Sequence, residues 1–153
     1  MANEKPKKLV SAAEEDKISR AMLVWLNTWP DKPVDLIRYE FLPADVGADG
    51  EMALSTIQST YIIRRYIYGG YLAEYQFKVI YRLKVGTSND KRLKADELLN
   101  GLGDWVTEQP RPDIGDGRHI IRIEPTTRSS LFAIYENSDE DHQILMKMNY
   151  EVI

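Results

Sequence analysis

The segment "RRYIYGGYLAEYQFKVIYRLKV", Arg64 to Val85, restricts the fold more than any other part of the chain. Tyr71, Ala73, Tyr75, Phe77, Val79, Tyr81, Leu83 and Val85 fall on alternate positions, with Glu74, Gln76, Lys78, Arg82 and Lys84 in most of the places between. Alternation with period two marks a strand with one buried face. Unbroken from Tyr71 to Val85, it would run about 50 Å at roughly 3.3 Å per residue. Strands usually stop after about 5–6 residues, so this one must bend or project. Gly69-Gly70 reads as a two-residue type I′ turn, which needs positive φ at both positions. That turn sets Tyr68 against Tyr71, Ile67 against Leu72, Tyr66 against Ala73, Arg65 against Glu74 and Ile62 against Phe77. The expectation is a long, protruding β-hairpin.

The rest of the chain supplies a body for it. Ser11-Ala-Ala-Glu14 is a capping box, serine and glutamate each serving the other's amide, and predicts a helix from Ala12. Ile18, Met22, Trp25, Leu26 and Trp29 share one face of that helix, and Pro30 stops it. Residues 1–10 read as a flexible arm. "VDLIRYEFL" predicts a strand at about residues 34–42, Pro43 to Glu51 a loop, and "MALSTIQ" leans toward strand through its β-branched residues. Ala95, Leu98, Leu99, Leu102, Trp105 and Val106 mark a second helix, capped by Asn89 or Asp90 and ended before Pro110. After a proline- and glycine-rich connection, "RHIIRIEP", "SLFAIYE" and "QILMKMNYEVI" read as three strands. The fold class is α+β: a largely antiparallel or mixed sheet with two α-helices packed on one side. Residues 11–153 form a single domain, with Met22, Trp25, Trp29, Phe77, Leu98, Leu102 and Trp105 as candidate core.

Chemistry is sparse. The 153 residues contain no cysteine, which removes disulfides, thiolate metal sites and cysteine nucleophiles together. The two histidines, His119 and His142, have no helical ligand spacing and read as surface residues, so no metal and no cofactor is expected. Asp45 to Glu51 and Asp113 to Gly117 lack the ligand order of a calcium loop and read as turns. Glu14-Glu15-Asp16 reads as the acidic first turn of a helix. No nucleophile elbow or phosphate-binding glycine loop is present, and an enzyme is not expected. A net charge of −4 disfavours a dedicated nucleic-acid binder. No apolar run approaches the roughly 20 residues of a membrane span, and no signal-peptide core follows Met1.

The expected hairpin carries apolar side chains on both faces near its turn, Tyr66, Tyr68 and Tyr71 on one and Ile67 and Leu72 on the other. Either another loop of the same chain covers one face, or Tyr66, Ile67, Tyr68, Gly69, Gly70, Tyr71 and Leu72 form a subunit or partner interface. Arg64, Arg65, Arg82 and Arg92 are candidate phosphate contacts on the competing reading of a small nucleic-acid or ligand-binding domain without catalysis.

The stretch "RRYIYGGYLAEYQFKVIYRL" followed by "ADELLNGLGDWV" resembles the minor capsid proteins of tailed phages of Gram-positive bacteria, a group similar to tail terminators. In that family a tyrosine-rich strand reaches a glycine turn and continues into a strand of the "G-x-x-x-x-x-F-x-I-Y" kind. Gly70, Gln76 to Phe77, Val79 and Tyr81 follow that order, with Phe77 and Val79 one residue and Tyr81 two residues beyond its spacing, while Tyr68-Gly69-Gly70 replaces the commoner aspartate-glycine-serine turn. The likeness spans roughly residues 34–108. It implies a virion protein made in the bacterial cytoplasm, forming a homo-hexameric ring at the head-proximal end of the tail. The implied partners are other copies of itself, the tail-tube protein and a head-completion or connector protein, with DNA only passing through the ring.

Overall fold

Ser11 starts the first helix as its position predicts, its Oγ accepting from the Glu14 amide at 3.1 Å. The computed structural model of the protein describes residues 8–109 and 111–153. Within them the order is β1 (Lys8–Leu9), α1 (Ala12–Leu26), β2 (Ile37–Tyr39), β3 (Glu51–Thr56), β4 (Tyr61–Arg65), β5 (Tyr71–Lys84), α2 (Asn89–Glu108), β6 (Arg118–Pro125), β7 (Ser130–Ile134) and β8 (Asp139–Val152). The fold is α+β, with two helices on an eight-stranded sheet whose pairings are antiparallel except β2 with β3.

Two 14-residue strands make the centre of the sheet. β5 and β8 pair along their whole length, from Tyr71 opposite Val152 to Lys84 opposite Asp139. Each then has its outer edge covered by two shorter strands. β4 and β3 lie along β5, with β1 and β2 beyond them, while β6 and β7 lie along β8. The long alternating strand therefore does not project. It is the inner strand of the sheet, and its length is matched by a partner more than fifty residues away in the sequence.

The alternation does decide which side is buried. Ala73, Tyr75, Phe77 and Val79 line up with Tyr150, Met148, Met146 and Ile144, and all eight are buried. Both helices cover this face: Ser19 of α1 shares a 3.0 Å hydrogen bond with the Tyr75 hydroxyl, and Gly103 of α2 has no Cβ, which leaves room for the Pro125 and Ile144 side chains. Ile18, Met22 and Leu26 are fully buried from α1, as are Leu99 and Leu102 from α2. Each such side chain contributes about 1.5–3 kcal/mol through burial. Trp25, Trp29 and Phe77 are also buried, whereas Leu98 and Trp105 are half-buried at the margin of this core, Trp105 with its ring 4.9 Å from that of Trp25.

Several expectations are corrected. The strand expected over 34–42 is only Ile37–Tyr39, and it runs parallel to β3. The chain before it is tied to α1, because the Asn27 side chain bonds both the amide and the carbonyl of Ile37, at 2.8 and 3.1 Å, and after it Glu40 turns away at φ 59°. Ser88, not Asn89 or Asp90, caps α2, its Oγ accepting from the Lys91 amide at 3.3 Å. β8 starts at Asp139, four residues ahead of Gln143. Of the expected arm, residues 1–7 lie outside the described residues, while Lys8 and Leu9 pair with Ile62 and Tyr61 and Val10 is buried.

Candidate assembly surface

The β4–β5 connection is a five-residue loop, Tyr66 to Gly70, rather than a two-residue turn. The Gly69 amide donates to Tyr66 O at 3.2 Å and the Tyr66 amide to Gly70 O at 3.1 Å, which places Ile67 and Tyr68 at the corner. Both glycines have positive φ as their pairing suggested, 93° and 82°, but at the end of the loop. A bulge after Ile62 shifts the register, so Arg65 faces Tyr71, Arg64 faces Leu72 and Tyr61, not Arg65, faces Glu74. The chain enters β5 against the end of β8. A Cβ at Gly70 would collide with the Val152 carbonyl, so only glycine lets the chain enter β5 beside that strand.

This loop divides the predicted interface residues into two groups. Ile67 is wholly exposed, at 105% of its reference surface, and Tyr68 is 73% exposed. Tyr66 is fastened to the sheet, its hydroxyl donating to Glu151 at 2.9 Å and its ring stacked on that of Tyr68 at 5.3 Å. Tyr71 packs against the core, where burial pushes its hydroxyl pKa up, and Leu72 is half-buried between Arg64 and Glu151 in the sheet. The exposed apolar tip is thus Ile67 with Tyr68, flanked by Arg64 and Arg65, whose side chains make no ion pair or hydrogen bond with the described residues.

The other two candidate phosphate-binding arginines are engaged. Arg82 holds Asp141 with two bonds, 2.7 and 2.9 Å, beneath the Tyr135 ring, and Arg92 donates to Glu140 at 2.8 Å. These contacts belong to a buried polar network that sequence reasoning missed. Asp139, Glu140, Asp141 and His142 are all buried, although His142 is expected at the surface and three successive carboxylates seldom leave water without partners. Lys84 reaches Asp139 at 3.3 Å, and His142 lies between Asp96 at 2.9 Å and Glu140 at 3.2 Å. Burial pushes the Glu140 carboxyl up, but bonds from Arg92 and His142 and the Arg92 charge outweigh it and hold the group below its ordinary value. His142 is therefore no surface histidine, whereas His119 is exposed. Among the described residues no three His, Asp or Glu side chains are gathered as a metal site.

Glu14 is likewise more than a first-turn charge. It is buried against Arg118, whose Nε donates to both carboxylate oxygens at 3.0 and 2.9 Å, and it accepts from the Tyr150 hydroxyl at 3.1 Å. The Arg118 hydrogen bonds are the main reason its carboxyl stays below the ordinary range, against the opposing effect of burial. Its side chain is thus spent on the sheet, and the capping box is served from the serine side.

Fold and surface together define an α+β domain whose buried charged groups are hydrogen-bonded and whose most exposed large apolar side chains sit at a loop tip. No protein-family model matches the chain, and no curated protein matches it. Among solved structures the fold recurs in a chain of the "Virion of native gene transfer agent (GTA) particle". The TM-score is 0.58 at 12% identity, over 88% of this chain and 97% of that one.

Proposed function

We propose that the protein is a structural virion protein of a tailed bacteriophage, and within the particle a tail terminator or head-tail joining ring. The observation that carries this reading is the shared fold with a gene transfer agent virion chain across almost all of that chain's length. In this reading copies of the chain, six to a ring, end tail-tube polymerisation and dock to a head-completion or connector protein, while DNA passes through the opening. In this reading it has no catalytic step to perform. The exposed tip, Ile67 and Tyr68, is its natural contact: aromatic and aliphatic side chains that are exposed in the monomer are hidden on assembly.

Two measurements test the proposal. In phage particles whose genome carries this gene, mass spectrometry of purified virions should find the chain, and a nonsense codon in the gene should give tails of uncontrolled length or heads without tails. Normal virions that lack the chain would overturn it. In the same phage, Ile67→Lys with Tyr68→Lys should leave the circular dichroism of the purified protein unchanged and reproduce the assembly defect. Leu72 is left unchanged, because it lies within the sheet.

A further inference from the structure

The partner of the tip can be named from charge. The tip is an apolar knob with a cation on each side, since Arg64 and Arg65 are successive residues of β4 and their side chains leave opposite faces of the ribbon. On the same molecule, a groove of about 470 Å³ runs between the C-terminal half of α2 and the Glu124–Arg128 segment. Pro125 contributes its accessible apolar lining, and the buried Ile144 closes its floor. One wall carries Asp104 and Glu108, four residues apart on one helix face, and the other carries Glu124. Asp104 and Glu108 have no cationic partner among the described residues, and Glu124 has only the long contacts to Arg122 and Lys147 at 3.6 and 3.7 Å. Among the described residues that line the groove, Arg128 is the single cation against Asp104, Glu108 and Glu124, so the lining keeps a net negative character.

We infer that the tip of one copy seats in the α2 groove of the next copy, Ile67 and Tyr68 against Pro125, with the two arginines against carboxylates on both walls. This rests on the reading of the tip as an assembly surface. It adds the occupant. The contact is heterologous, one knob and one groove per chain, which is the kind that closes into rings or extends into filaments. A second copy suits the tip better than DNA does. The tip's most exposed side chain is aliphatic, its tyrosine rings stack on each other, and its two cations match unpaired carboxylates of the same chain. Another open groove, beside α1, is lined by Ala21, Val24 and Trp25 with Lys17, Arg20 and Asp113, a net positive set that would repel Arg64 and Arg65.

The absence of native cysteine allows a clean test. A full chain with Ile67→Cys is mixed with one carrying Thr107→Cys, a groove-lining position, and oxidised; a chain with both substitutions is oxidised alone. The mixture should give heterodimer, and the doubly substituted chain a ladder of multimers. Adding Arg64→Glu and Arg65→Glu to the first chain should cut the heterodimer yield roughly fivefold or more, and raising salt should lower it for the unreversed pair. Adding Asp104→Lys and Glu108→Lys to the second chain should then restore it. A yield no greater than that from Asp31→Cys in place of Ile67→Cys overturns the contact, as does indifference to charge reversal or failure of the swap to rescue. Protection of the introduced thiol at 67 by a DNA duplex, with no heterodimer, would make the tip a nucleic-acid contact instead. Rings that form without this cross-link leave the virion reading intact and refute the seating, whereas virions that lack the chain refute the virion reading itself.

Discussion

Glu14→Gln tests whether the buried Glu14–Arg118 pair holds α1 to the start of β6. The substitution keeps the shape but removes the charge, and leaves the guanidinium of Arg118, only 16% exposed, facing a neutral amide. Removing one partner of a fully buried pair costs about 3–5 kcal/mol. The Arg118 head keeps a bond from Nη1 to the Asp116 carbonyl at 3.1 Å and some contact with water, so the expected loss is about 2–3 kcal/mol. In a urea titration read by tryptophan fluorescence, that is a midpoint lower by about 1–1.5 M. The pH dependence gives a second signature. Because the Glu14 carboxyl sits below its ordinary value in the folded state, chiefly through Arg118, the unfolded chain binds the proton more readily in acid. The stabilisation is therefore complete above about pH 5 and is lost as the pH falls through the folded-state value. The gap between parent and variant should narrow in acid, and Arg118→Met added to Glu14→Gln should recover part of the loss. A variant within about 0.5 kcal/mol of the parent at neutral pH, or a gap that does not narrow, would refute the reasoning.

Trp105→Ala should cost about 2 kcal/mol, below the 3–5 of a fully enclosed tryptophan, while Leu102→Ala should cost at least as much despite its smaller side chain, because Leu102 is fully buried and Trp105 is not. Urea titration of the two variants ranks them. Gly70→Ala should lower the melting temperature much more than Gly69→Ala: both have positive φ, but only Gly70 faces the Val152 carbonyl, whereas Gly69 opens onto free space.

Much of the architecture was legible wherever the signal is local. The stripe from Ile18 to Leu26 and that from Ala95 to Val106 repeat at helical spacing, although Trp29, expected on the same helix, lies beyond its end at Leu26, and the Ser11 cap depends on residues within one turn. The alternation of β5 likewise marks its buried face without knowledge of any partner. What was hidden depends on distant residues. Nothing near Gly69-Gly70 reveals that Val152 lies against Gly70, and that distant neighbour accompanies the five-residue loop and shifted register. Asp139 to Asp141 look solvated because their cations, Lys84, Arg92 and Arg82, lie 48–59 residues away. At the loop tip, the composition around the turn pointed to Ile67 and Tyr68, but the split between them and the half-buried Tyr71 and Leu72 needed the real register.

The pairing of β5 with β8 also governs the life of the chain before it is folded. When β5 leaves the ribosome, β3 and β4 are already available to cover one of its edges. The other edge must wait for more than fifty further residues, and β6 and β7 have no strand of their own to join until β8 arrives. For that interval a 14-residue edge bearing Tyr75, Phe77 and Val79 stands open, a template on which nascent neighbours can pair. Contacts so distant in sequence also slow folding, since a large loop must close before they form. A translational pause ahead of Asp139 should therefore raise the fraction of insoluble chains, whereas a pause after β8 has emerged should not.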